Sequence, residues 1–247
     1  MVLMSIIKAT AIKFGVSCAE AFMSLAAKEY PSVIKHIELI RDFSEAACRS
    51  EYTDYLWKLA SVESGFNHNI ISVNANGRTS KVYRDIDEIK LYIKNVDRDI
   101  RRLKKRELKD EYRREYVPNL DVGILQLNFR FHGNEHPFDL DINKMFMIDE
   151  QVIYFDKYLV PKLKKSCKDK WLLCYHAPKK EGNQEKYRLL IEKATKKLTA
   201  SNKEYMEELR ANKVAKEIAI VKNDVFFSVK FKKISSEFYL ANNSNQL

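Results

Sequence analysis

No stretch of this chain reaches the run of about eighteen apolar residues that a membrane-spanning helix needs, which sets aside an integral membrane protein and leaves a soluble, globular class. Nor does it have the composition of a disordered chain, since 45% of its residues are hydrophobic and 32% charged. Its four cysteines, Cys18, Cys48, Cys167 and Cys174, include no C-x-x-C pair and are too few for a disulfide-framework scaffold. Cys167 and Cys174 lie two helical turns apart, too far along an unbroken helix to bond, so buried free thiols are expected, with a Cys18 to Cys48 link left open. A clean export signal is missing as well. Residues 1–26 are apolar and small, with A-E-A and S-L-A as cleavage-like triplets, but Lys8, Lys13 and Glu20 interrupt the apolar region, and G-V-S-C at 15–18 is only a partial lipoprotein pattern. The segment is therefore expected to be the first helix of the folded domain. The densest basic run, Arg101, Arg102, Lys104, Lys105 and Arg106, carries no interleaved aromatics and belongs to no known module, so nucleic acid is disfavoured as a partner and a solvated helix face is expected.

A chain of 247 residues can bury a proper core, as one domain with additions or two small ones. Its formal charge of +10 favours anionic partners: nucleic acid, a membrane surface or acidic wall polymers.

The most informative stretch is 56–67, LWKLASVESGFN. Tyr55, Leu56, Leu59, Ala60 and Val62 recur near the helical period, which predicts a largely buried helix over 52–63, and Ser64 and Gly65 end it. The pattern delivers one carboxylate, Glu63, to the last helical turn among apolar walls. There its pKa rises, and it can stay protonated near neutrality as a proton donor. Two further motifs follow: DVGILQLN at 121–128 and WLLCYH at 171–176. In the second, Leu125 and Leu127 are expected in the core, Gly123 where backbone approaches a sugar, and Gln126 in a cleft, its amide suited to an acetamido group or hydroxyl.

An E-S-x-F-N segment, then G-I-L-Q-L-N, then an apolar helix ending in Tyr resembles the lytic transglycosylases of the SLT type, over roughly residues 52–194. With Asp two residues before the Gly, it is most similar to the accessory transglycosylases of bacterial secretion and conjugation systems. The resemblance implies a mainly α, lysozyme-like (α+β) fold, residence in the bacterial periplasm or cell envelope, and cleavage of the MurNAc-β-1,4-GlcNAc bond of peptidoglycan with formation of a 1,6-anhydro sugar. It implies Glu63 as the one catalytic acid and base, no metal or cofactor, and Ser64, Asp121, Gly123, Gln126, Asn128, Tyr175 and His176 as substrate-binding residues, with Tyr175 hydrogen-bonding the acid. The third motif departs from the family's Ala-Tyr-Asn-x-Gly: His176 stands for Asn, and the Gly is missing. Two other classes stay open, a lysozyme-type hydrolase with Asp121 as second acid, and a non-catalytic peptidoglycan-binding scaffold.

The rest of the chain is read by pattern. Residues 69–77 are a loop or short hairpin. Val82, Ile86, Ile89, Ile93, Val96, Ile100 and Leu103 step by four and three, which predicts one amphipathic helix over 82–116, an insert within a domain of residues 1–200. Its stripe is expected to pack on its own domain, with docking to a cell-envelope or secretion-machine protein as the alternative. His132, His136, Asp139 and Asp141 have a metal-like spacing, but Gly133, Asn134 and Pro137 argue for a polar loop. Residues 187–198 are a closing helix. The extension 201–247 is read as a polar helix followed by a β-hairpin, from the alternation of Val225, Phe227, Val229 and Phe231.

Overall fold

The computed structural model describes residues 5–32, 37–75, 78–105, 116–175 and 181–243. These form a mainly α protein with one small antiparallel sheet. Residues 1–202 make one compact unit and residues 203–247 a second.

The N-terminal segment is two helices rather than one, α1 (Ile6–Phe14) and α2 (Cys18–Glu29). Gly15 stops the first with a left-handed φ of 66°, and a capping box between Ser17 and Glu20 starts the second. Ile7, Phe22 and Leu25 are fully buried. Asp54 ties the start of α1 to the helix below it, accepting from Ser5 Oγ at 2.7 Å and from the Ile6 N–H at 2.8 Å. α3 (Ile37–Arg49) buries Ile40, Phe43, Ala46 and Ala47. α4 (Thr53–Glu63) is the predicted central helix and buries Leu56, Trp57, Leu59 and Ala60.

The stretch after Asn67 is a hairpin, β1 (Ile71–Ala75) and β2 (Arg78–Tyr83). It is joined by β3 (Leu120–Val122) and β4 (Leu127–Asn128) in the antiparallel order β2-β1-β3-β4. The predicted insert helix begins later than its seam suggests. Val82 pairs with Ser72 in the hairpin, and α5 (Ile86–Lys104) starts only where Asp85 caps the amides of Asp87 and Glu88. From there Ile89, Val96, Ile100 and Leu103 are buried, so the stripe packs on its own domain, as expected. The end of the insert, 106–115, lies outside the described residues.

Helical segments Ile142–Phe146, Ile148–Tyr154 and Val160–Cys167, the last two joined by a π turn at Phe155–Leu159, complete most of the core. The free-thiol reading is overturned: the link left open between Cys18 and Cys48 forms, and so does the one set aside between Cys167 and Cys174. Cys18 bonds Cys48, joining α2 to α3. Cys167 bonds Cys174 because the helix does not run through: Lys168, at φ 49°, breaks it, and a single 3₁₀ turn leads into Trp171–Cys174.

The C-terminal hairpin is also corrected. Glu181–Asn243 is one continuous helix. Val214, Ile218, Val221, Val225 and Val229 repeat at steps of four, three, four and four, a helical face that coexists with the local alternation, and Lys222-Asn223-Asp224 lacks the glycine of a two-residue hairpin turn.

Candidate active site

Glu63 occupies the last position of α4. Ser64 caps the helix, and Gly65 and Phe66 both take a φ of 61°, which swings the chain away and leaves the carboxylate at the break. The side chain is only partly accessible. Loss of solvation is the main cause that pushes its pKa up to about 7, the nearby Asp121 charge adds to it, and a hydrogen bond from Tyr187 opposes both.

The three sequence motifs converge on one turn, residues 123–126. Ser64 Oγ donates to the Ile124 carbonyl at 2.7 Å. Tyr175 Oη donates to the Leu125 carbonyl at 2.5 Å. Gln126 folds over the turn, its amide nitrogen donating to the Gly123 carbonyl at 2.8 Å while its oxygen accepts from Ser72 Oγ at 2.7 Å. Leu125 and Leu127 are buried, as expected. Beneath the turn lies a fully buried Gln151, which accepts from the Leu125 N–H at 3.1 Å and donates to the Met145 carbonyl at 2.7 Å.

Several expected roles change with this geometry. Gly123 is required at a φ of 73°, and a Cβ there would stand 2.0 Å from Gln151 Nε2, so an internal side chain accounts for the glycine without a sugar. The Gln126 amide, expected in a cleft, is spent on Ser72 and Gly123. Asp121 accepts from Asn74 Nδ2 at 2.6 Å through one oxygen and from Asn128 Nδ2 at 2.7 Å through the other. Asn128 in turn caps the short helix Phe129–His132. His176 lies outside the described residues.

The acid's hydrogen bond comes from a different tyrosine than expected. Tyr187 Oη donates to Glu63 Oε1 at 2.5 Å, whereas the Tyr175 hydroxyl is committed to Leu125. Tyr175 still stands within electrostatic reach of Glu63: burial pushes its phenol well above the ordinary tyrosine range, and the Glu63 charge pushes it further. Tyr187 is raised in the same way, by burial first and then by Glu63. In the sequence Tyr187 reads only as one apolar position of a closing helix. A buried tyrosine hydroxyl needs a partner, and that rule is the one signal that marks it.

Two concavities lie elsewhere, one on the outer face of α5 and one lined by Asp42, Glu45, His68, Phe146, Met147 and neighbours; Glu63 borders neither. In the second, burial holds His68 down at about 4, against the pull of Asp42. The histidine-rich loop is structural: His132 Nδ1 meets Tyr154 Oη at 2.9 Å, and Glu135 accepts from both Tyr154 and Lys162. Among the described residues no group of three metal-ligating side chains comes together. The chain matches no protein-family model, no curated protein and no solved structure.

Proposed function

We propose that the chain is a peptidoglycan lytic transglycosylase of lysozyme-like fold that works with Glu63 as its single acid and base. The observation that carries the reading is a carboxylic acid at a buried helix end, its pKa near 7, held by a tyrosine hydroxyl beside a turn that the E-S-x-F-N, G-I-L-Q-L-N and Tyr175 segments all grip. An acid with that pKa is half protonated at neutrality, which suits a group that must first give and then take a proton. Protonated Glu63 donates to the glycosidic oxygen as the C1–O bond breaks, and the sugar's acetamido group supports the oxocarbenium-like centre. The carboxylate then removes the proton of the C6 hydroxyl, whose oxygen closes on C1. Tyr187 is a positioning residue that orients the carboxylate through Oε1. Both cysteine pairs being oxidised favours an extracytoplasmic setting such as the cell envelope.

Glu63→Gln keeps the shape of the side chain and an acceptor for Tyr187, so it is expected to fold normally and to lose at least ~10²-fold in release of soluble muropeptides from purified sacculi. Undiminished release would refute the assignment. A hydrolytic variant of the reading is favoured by Asp121, whose charge is felt at Glu63 and which could serve as the second carboxylate of a glycosidase. Mass spectrometry separates the two, because a 1,6-anhydro end is one water lighter than a reducing end. Binding to sacculi with no fragment released by the wild-type chain would instead leave a wall-binding scaffold, a role consistent with the internal commitments of Gln126 and Tyr175.

A further inference from the structure

The outer face of α5 is unusual in its arrangement of charge. Lys94, Arg98, Arg101, Arg102 and Lys105 stand at steps that place them within about 100° of arc on a helix of 3.6 residues per turn, opposite the buried Ile89, Val96, Ile100 and Leu103. Among the described residues, they and Asn95 line a shallow recess of about 420 Å³. Among the described residues Asp99 is the only carboxylate paired with this group, 3.7 Å from Arg98 and 3.8 Å from Arg102, so these described residues together keep a net positive charge. In line with the cations, one turn before Lys94, sits Leu91 at 64% exposure, and Ile86, 48% exposed, stands at the start of the same helix.

From this juxtaposition we infer that α5 is a peripheral membrane-docking face, its five cations meeting the headgroups of an anionic bilayer and Leu91 entering the interface. A soluble polyanion, duplex nucleic acid included, would use the cations alone, and single-stranded nucleic acid would call for an exposed ring on this face. The helix would lie along the surface, since no helix among the described residues is long and apolar enough to cross a membrane. This inference is independent of the chemistry at Glu63.

The test is co-sedimentation of the full chain with vesicles of phosphatidylglycerol mixed into phosphatidylcholine, against phosphatidylcholine alone, over a salt series. Binding is expected to the anionic vesicles only and to weaken steeply with salt. Arg98→Gln combined with Arg101→Gln should weaken it roughly 25-fold, about fivefold for each cation removed. Leu91→Gln, which removes the apolar side chain without changing the charge, should weaken vesicle binding but leave the affinity for soluble polyphosphate within about twofold of its starting value, because only a bilayer offers the leucine an apolar phase. Equal binding to neutral and anionic vesicles, an unaffected double variant, or a Leu91→Gln variant that binds vesicles as well as before would each overturn the proposal, the last in favour of a soluble polyanion. Glu63→Gln should bind vesicles unchanged, which keeps this result apart from the fate of the enzymatic reading.

Discussion

At the scale of single residues, the molecule turns on the raised pKa of Glu63 and on the tyrosine that restrains it. Activity that needs the protonated acid should fall as pH rises through about 7, and Tyr187→Phe, which removes a bond favouring the carboxylate, should move that limb to higher pH while leaving the fold in place. A profile unmoved by Tyr187→Phe would deny the tyrosine its role. The same group predicts a stability effect of definite sign. Its folded pKa lies above the unfolded value, so the folded chain holds an extra proton between about pH 4.5 and 7, and stability present below that window is lost as pH rises through it. A gap of that width corresponds to at most about 3.4 kcal/mol. Glu63→Gln should therefore match the wild type near pH 4 and be the more stable protein at pH 8, measured by denaturant unfolding at each pH. The acid itself was legible from the apolar helix running into Ser64-Gly65. Its partner was not, because Tyr187 is 124 residues away and periodicity registers it only as an inward position.

At the scale of elements, the 123–126 turn is held from several sides, and its tightest constraint is Gly123. Gly123→Ala would drive the Gln151 amide from its buried place, stranding the Leu125 N–H and the Met145 carbonyl, and would also strain a positive φ. A loss of about 2–4 kcal/mol is expected in urea unfolding, and a loss under about 0.5 kcal/mol would mean that Gln151 has room to move. The motif was visible in sequence as G-I-L-Q-L-N, but the reason for its glycine lay in a glutamine from a later helix. Two element boundaries were misplaced for related causes. The seam of α5 runs through Val82 without a fault, yet pairing of β2 with β1 claimed that residue and the Asp85 cap moved the helix start. In the tail, Val225 and Val229 satisfy both a period of two and a step of four, and the 63-residue helix followed the longer pattern.

At the scale of the whole molecule, two disulfides stabilise the compact unit. They close segments of very different length, with sequence separations of 30 and 7. Loop-closure entropy makes the first worth about 3.6 kcal/mol and the second about 2.4 kcal/mol. Replacing Cys18 and Cys48 by serine should thus lower the melting temperature more than replacing Cys167 and Cys174, and dithiothreitol should lower it in the wild type. The reverse ranking would point to structure retained in the reduced, unfolded chain. The net charge of +10 is legible in the sequence, but that five of its cations share one helix face became definite only when α5 buried its apolar stripe and turned them outward.

What the sequence determined by itself is what repeats over a few residues: the helices with their buried stripes, the break after Glu63, and the carboxylate set into it. Tertiary structure decided which hydroxyl meets that carboxylate, which side chain needs Gly123 bare, and that Cys167 can turn back to Cys174. The reason is range. Helical periodicity is written into neighbours one turn apart, whereas a hydrogen bond or disulfide between distant segments depends on how every intervening turn directs the chain.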